Sequence, residues 1–425
     1  MKLLWITNII LPDACAALKM QTPVVGGWMQ ASAKALKSQP NVQLAVATVY
    51  SGTELKTVVC DSVTYYLLPS SVPTGVKYNK SLEPLWQKVK AAFKPDVVHI
   101  HGTEYTHGLA YIRACGAENV VVSIQGLVSV IHRYYMAGLS FGDIFRNITF
   151  RDLVRMNTIW QQKAQFYRRG LVEKEYIQSV KHVIGRTSWD KAHVLAINPQ
   201  VNYHFCNETL RDEFYKHRWS YETCEKQTIF LSQASYPIKG LHQVLKALPL
   251  ILRHYPNTKI YIAGDNLTNR STLMARLKRT GYAKYITQLI DKLQIADHIN
   301  FTGNLNEQEI CQQYLKANVF VCPSSIENSP NSLGEAQLLG VPCIASYVGG
   351  VPDMIPNEHC GYMYRFEEVE MLAAKICEVF GGACSSSADD VAPIEAAKRH
   401  NKQLNRKNLI DIYKSINVAA NIIYV

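Results

Sequence analysis

The chain has 425 residues, a net charge of +11, 48% hydrophobic and 19% charged side chains, and a pI of about 9.0. One hydrophobic core rarely supports that length, so two domains of roughly 200 residues each are expected. The ordinary composition excludes disordered and fibrous classes. The positive balance admits nucleic acid, an anionic membrane or a phosphate-bearing substrate without choosing among them.

In chain order, MKLLWITNIILPDA comes first. Its apolar run is broken by Thr7 and Asn8 and lacks a small-x-small cleavage pattern, so a first β-strand is expected rather than a signal peptide. Gly26-Gly27-Trp28 precedes the helical pattern MQASAKALKS. Two glycines there let backbone approach a phosphate at a helix N-terminus, or simply make a tight strand–helix turn. The apolar runs VQLAVATVY, VTYYLL, DVVHIHG and NVVVSIQG follow, with a helical pattern at Ser81–Phe93. His99 and His101 lie on one face of DVVHIHG, where His99 reads as a hydrogen-bonded core group. A metal site would need further ligands that the sequence does not offer, so none is expected.

Residues 131 to 193 read as an insertion, with eleven Lys/Arg against five Asp/Glu and interleaved aromatic and aliphatic residues. This amphipathic basic stretch suits either an anionic bilayer holding a lipid-linked pyrophosphate acceptor or a solvated helix face. No nucleic-acid motif accompanies the charge. Past the strand KHVIGRTS, the segment Asn198–Thr223 loses periodicity, which sets the expected domains at 1–195 and 196–392. The second half carries the runs TIFLSQA, KIYIAGD, INFTGN, VFVCPS and PCIASYV, with helical patterns at Gly240–His254 and Glu307–Ala317. Continuous apolar runs mark strands buried on both faces, as in parallel sheets. The β-α-β-α pattern occurs twice, so the expected fold is α/β, two doubly wound Rossmann-like domains facing across a cleft. Gly381–Asp390 reads as a loop, and Pro393 opens a long helical pattern over 393–425 expected to pack back toward the first domain. The eleven cysteines form no C-x-x-C pair, and no apolar run reaches the roughly 18 residues of a membrane span. The cysteines suit the reducing cytoplasm, and no membrane-spanning segment is expected.

The most informative stretch is SSIENSPNSLGEAQLLGVPCIAS, Ser324 to Ser346. Ser329 is a natural N-cap, Pro330 fits the first helical position, and Gly340 with Pro342 stops the helix. Its tip would present the backbone N–H groups of Asn331, Ser332 and Leu333 together with the positive end of the helix dipole, a ready anion site. Glu327 before the helix and Glu335 inside it would flank the ligand, and a carboxylate accepting two hydrogen bonds suits a vicinal diol. Taken alone, the same glutamates could be one solvated carboxylate and one helix-start charge.

The extended stretch resembles the retaining glycosyltransferases of the GT-B fold, family 4. Their E-x7-E signature sits in E-N-x-P-N-S-L-x-E-A-x-x-x-G-x-P, ahead of a Gly-Gly-V-P-E-type turn. Here the chain reads Glu327-Asn328-Ser329-Pro330-Asn331-Ser332-Leu333-Gly334-Glu335-Ala336, then Gly340-Val341-Pro342 and Gly349-Gly350-Val351-Pro352-Asp353. The resemblance implies that Glu335 holds the donor ribose and that Glu327 is a catalytic-site residue beside the transferred sugar. The family's basic pair, G-R-x4-K-G, is matched at Lys239-Gly240, with Gln233 at the Arg position. Gly26 and Gly27 match the family's Gly-rich loop, and His101 would face the cleft. Gln125 stands where relatives carry a His near the reacting sugar.

The implied activity is that of a retaining, metal-independent hexosyltransferase, without a cofactor, using a nucleotide-sugar donor and a glycan or lipid-linked acceptor. The implied setting is surface polysaccharide or lipopolysaccharide synthesis in the cytoplasm; peripheral membrane contact is expected from the basic 131–193 region instead. Gln233 and Gln125 keep open a non-catalytic nucleotide-sugar-binding protein, and a nucleotide-sugar epimerase on the same fold is a separate alternative.

Overall fold

The computed structural model describes residues 1–20, 27–71, 77–382 and 391–422. The chain divides into two compact units: Met1–Val130 with Gln165–Arg211 and His400–Val425, and Ile131–Ala164 with Asp212–Arg399. This partition differs from a single break after residue 195. Residues 196–211 stay with the first unit because Asn202–Phe205 adds a strand to its sheet. Residues 131–164 count with the second.

The first unit has eight strands: β1 (Lys2–Ile6), β2 (Gln43–Tyr50), β3 (Lys56–Cys60), β4 (Val63–Pro69), β5 (Val97–His101), β6 (Val120–Ser123), β7 (His182–Gly185) and β8 (Asn202–Phe205). They are ordered β3-β4-β2-β1-β5-β6-β7-β8. All neighbours are parallel except β3 against β4. Alternation along β1 explains the two-sided core. Leu4 and Ile6 join Trp86, Val89 and Phe93 on one face, while Leu3 and Trp5 join Met29, Leu36 and Tyr413 on the other.

The expected long C-terminal helix is two helices, Val391–Arg399 and Lys402–Ile422. Asn401 makes the break: its Oδ1 accepts from the backbone N–H of Leu404 at 2.8 Å and so starts a new helix. The chain changes unit at the same point. In the first unit the later helix seats Tyr413, whose hydroxyl accepts from Trp5 Nε1 at 3.0 Å and hydrogen-bonds His99 Nδ1 at 2.6 Å.

The second unit has six parallel strands: β9 (Glu225–Leu231), β10 (Lys259–Ala263), β11 (Ile299–Gly303), β12 (Ala317–Cys322), β13 (Cys343–Ser346) and β14 (Tyr362–Tyr364). Their order is β11-β10-β9-β12-β13-β14. Phe230 and Phe320 on its central strands pack edge-on or tilted against Tyr314, with ring centroids 4.8 and 5.1 Å away. The polar, aromatic stretch before β9 has a specific task. Trp219 donates its backbone N–H to Leu339 O at 2.8 Å, and Arg218 Nη1 donates to Leu338 O at 3.3 Å. A cationic side chain at that helix end also complements the dipole.

Candidate functional site

In the second sheet the strand order reverses between β9 and β12. Open α/β sheets bind ligands in the crevice outside the carboxyl ends of the strands at such a reversal. The loops leaving these two strands are stitched together: the Ser325 N–H donates to Ile238 O at 2.8 Å. Gly240 makes the close approach feasible. It sits at φ +69°, and a Cβ there would lie 1.7 Å from the carbonyl oxygen of Pro323. Only glycine fits both conditions.

That stitching brings Lys239 and Glu327 into contact. Lys239 Nζ donates to Glu327 Oε1 at 2.6 Å, and Ser324 Oγ donates to the same oxygen at 2.7 Å. Both side chains are mostly buried, at 17% and 14% exposure. Burial alone would lower the Lys239 ammonium, yet Glu327 and Tyr236 beside it raise it above the ordinary lysine value. Lys239 is therefore a fixed cation over the whole physiological range. The glycine pair of the following turn fixes the other partner. Gly350 donates its N–H to Glu327 O at 3.0 Å, and Gly349, at φ +51°, would place a Cβ 1.9 Å from that oxygen. Ser346 Oγ donates to the carbonyl of Ser324, which holds the loop from β13. Gln233 is exposed at the start of the β9 loop.

The helix after Glu327 runs Asn331–Leu339, one residue later than the sequence suggests. Pro330, at φ −67° and ψ 118°, takes the cap position instead of the first helical one. Ser329 does not cap, because its hydroxyl contacts Met354 Sδ at 3.7 Å and accepts from Arg399 Nη2 at 3.4 Å. Leu333 is also a correction. Its N–H already donates to Pro330 O at 3.0 Å and its side chain is fully buried, so it is not presented at the tip. Asn331 and Ser332 are partly exposed there. Glu335 lies in the second turn at 4% exposure. Gly340, at φ +86°, ends the helix, as its sequence position suggests.

The remaining predicted residues belong to the first unit. Gly26 lies outside the described residues, and Gly27 begins the helix Gly27–Lys37. Gln125 is half-buried just past β6, and its carbonyl accepts from Arg186 Nη2 at 3.0 Å. His101, expected to face an open cleft, is instead 4% exposed, with its ring 4.4 Å from that of Trp5 and 3.8 Å from that of His99. Burial lowers its pKa to about 3, so it stays neutral.

Two carboxylates escaped the sequence reading because no local motif marks them. Glu104 follows β5 at the reversal of the first sheet, β1 to β5, and accepts from Asn8 Nδ2 at 3.4 Å. Burial pushes its carboxyl up from the ordinary range. Glu173 is fully buried and accepts from Thr103 Oγ1, Val128 N and Ser129 N at 2.6, 3.1 and 2.9 Å. Burial raises it to about 7. Among the described residues no group of three or more His, Cys, Asp or Glu is placed to hold a metal ion. None of the described helices is long and apolar enough to cross a membrane.

Residues 213–391 match the family model described as glycosyl transferases group 1. A GDP-mannose-dependent alpha-(1-6)-phosphatidylinositol monomannoside mannosyltransferase of Mycobacterium tuberculosis is 25% identical over 169 residues, 38% of this chain and 40% of that protein. The chain thus spans less than half the length of the curated relatives it matches. Among solved structures, a sucrose-phosphate synthase from Thermosynechococcus elongatus superposes with a TM-score of 0.68 at 14% identity, covering 99% of this chain and 100% of that one. Anabaena Alr3699/HepE in complex with UDP and glucose gives a TM-score of 0.65 at 14% identity, covering 98% and 100%. The likeness to these structures is one of fold, the GT-B arrangement of two Rossmann-like domains in one chain.

Proposed function

We propose that this chain, whose residues 213–391 match the glycosyl transferases group 1, moves a hexose-type sugar from a nucleotide-sugar donor to a glycan or lipid-linked glycan, with retention of configuration. The observation that carries the reading is the Lys239–Glu327 pair, 2.6 Å apart at the strand-order reversal of the second sheet. In this account the second unit binds the donor and the first serves the acceptor. The Lys239 ammonium neutralises charge gathering on the departing diphosphate, and the N–H groups of Asn331 and Ser332 add the field of a helix tip. Glu327 lies beside the transferred sugar, and Glu335 takes the ribose hydroxyls.

Without an arginine at position 233, the charge handling falls on Lys239 and the helix tip. A neutral Gln233 or Gln125 can still hydrogen-bond a sugar or phosphate oxygen. The test is a product assay with UDP-, GDP-, ADP- and dTDP-sugars, with and without added acceptors. Acceptor-dependent transfer that retains the anomeric configuration is the expected result. Turnover of donor without acceptor into its epimer would favour an epimerase, and donor binding without turnover would favour a binding protein.

A further inference from the structure

Residues 131–164 are anchored to the second unit at several points. Ser325 Oγ donates to Tyr134 O at 3.1 Å, His242 Nε2 donates to Ala137 O at 2.8 Å, and Lys284 Nζ donates to Arg146 O at 2.8 Å. Two short helices follow, Phe141–Arg146 and Phe150–Val154, each started by a complete capping box, Ser140 with Asp143 and Thr149 with Asp152. Asp152 is buried, and a Cβ on Gly281 would lie 2.8 Å from its Oδ2. The segment is thus a built part of the unit.

Its outward face is apolar. Phe141, Phe145, Phe150 and Leu153 are 71%, 64%, 74% and 61% exposed, and Met156 is exposed beside them. The rings of Phe141 and Phe145 stack, with centroids 6.2 Å apart. The helix Leu273–Lys278, which packs beside Phe150–Val154, has no buried residue and exposes Leu273 and Met274. Single exposed apolar side chains are ordinary on a folded surface, but a run across three neighbouring helices marks an interaction site.

The charge around this face names the partner. Residues 131–164 hold five basic and two acidic side chains, one of the acids being the buried Asp152. Residues 266–280 hold four basic side chains and no acidic one. Apolar side chains among the exposed Arg146, Arg155, Arg276 and Lys278 match a bilayer whose headgroups are anionic and whose acyl region begins just below them. A second copy of the chain would set these like charges against each other.

We propose that the helices Phe141–Arg146, Phe150–Val154 and Leu273–Lys278 form a docking surface for an anionic lipid bilayer. The expected basic stretch of 131–193 narrows to its first part, since residues 165–193 belong to the other unit. The second element, Leu273–Lys278, comes from elsewhere in the chain. The surface does not depend on sugar transfer.

The experiment is flotation of the full chain with phosphatidylcholine vesicles, with and without half phosphatidylglycerol. The chain should float with the anionic vesicles and leave them in high salt. Phe150→Ser with Leu273→Ser keeps the net charge and should weaken vesicle binding at least about tenfold. Its thermal midpoint and nucleotide-diphosphate affinity should not change. Arg155→Gln with Lys278→Gln should weaken binding about fivefold per charge removed, on anionic vesicles only. Wild type failing to float with anionic vesicles, or the serine double variant floating as well as wild type, would overturn the proposal. So would a wild-type dimer in light scattering that the serine variant dissociates, since the face would then belong to a second copy. Vesicle binding without nucleotide binding would sink the transferase reading and leave this surface standing.

Discussion

The two sheets each reverse strand order once, and the crevices at those reversals are built from different chemistry. Between β9 and β12 a lysine and a glutamate meet at 2.6 Å, and two glycines pin the loops that carry them. Between β1 and β5 the corresponding position holds Asn8 and Glu104, 3.4 Å apart, over buried neutral groups such as His101. Opposite charges held in place stabilise a ligand whose own charge changes during reaction, whereas buried neutral groups cannot follow such a change. In the proposed account this difference assigns charge handling to the second unit; in the first, the charges of Arg169 and Arg186 act on Glu104.

The largest expected effect tests how the loops are pinned. Gly349→Ala combines a positive φ with a Cβ 1.9 Å from a backbone oxygen, which cannot rotate away. It should cost about 3 kcal/mol or more in urea unfolding and lower sugar transfer more than about a hundredfold. Gly102→Ala in the first unit meets mainly the Glu104 carboxylate end, at 2.3 Å, which can swing aside. Its cost should stay near the left-handed strain alone, about 1–2 kcal/mol. Equal losses for the two variants would erase the contrast.

Next comes the chemistry itself. Glu327→Gln should reduce transfer by about 10²- to 10³-fold and cost about 1–3 kcal/mol of stability, because the amide oxygen still accepts from Lys239 and Ser324 but the buried ammonium loses its counter-charge. Glu104→Gln should change transfer less than about tenfold. Steady-state rates with saturating donor decide between them, and the reverse ranking would move the reacting centre to the first unit.

Acid sharpens the comparison from the other side. Burial lowers His101 to about 3 and His107 and His182 to about 4, from an ordinary 6.5. Below pH 6.5 the unfolded chain takes up protons that the folded first unit refuses, so stability falls as the pH falls toward 4. Glu173 opposes them: raised to about 7 from 4.5, it favours the folded state at low pH and loses that contribution as the pH rises through this range. His99, His204 and His242 are lowered as well and Glu104 is raised, so the lowered histidines outnumber the raised carboxyls and stability falls on acidification from pH 6.5 to 4.5. Calorimetric melts over that range should show an earlier transition at each lower pH, and a flat profile would refute the neutral-histidine picture. A separate effect on stability alone is expected for Tyr413→Phe. It leaves Trp5 and His99 without the shared hydroxyl and should cost about 1–3 kcal/mol in unfolding experiments.

These sites differ in how far the sequence reveals them. Long, wholly apolar runs such as VFVCPS announce buried parallel strands, so most of both sheets was legible. The strands β3, β8 and β14 were not. They are short, stand at or near a sheet edge, and carry the mixed exposure that a linker also has. The helix between Pro330 and Gly340 was legible because punctuation residues fix it locally, whereas Lys239 and the part given to Glu327 came from the family resemblance. The cap shift from Ser329 to Pro330 was not, since it depends on Met354 and Arg399, far along the chain. His101 was misjudged for a similar reason. Alternation along β5 fixes which face it shares with His99, but only Trp5 packed against that face shows that it is covered. Glu104 and Glu173 gain their character from burial, which a sequence does not display.

The central claim is that the β9–β12 crevice holds the donor diphosphate on Lys239. Calorimetric titration of UDP, GDP, ADP and dTDP into wild type, Lys239→Met, Glu327→Gln and Glu104→Gln tests it most directly. The account predicts that one nucleotide binds wild type, that Lys239→Met weakens it at least about tenfold, and that Glu327→Gln and Glu104→Gln stay within about threefold. Lys239→Met binding that nucleotide as tightly as wild type would contradict it.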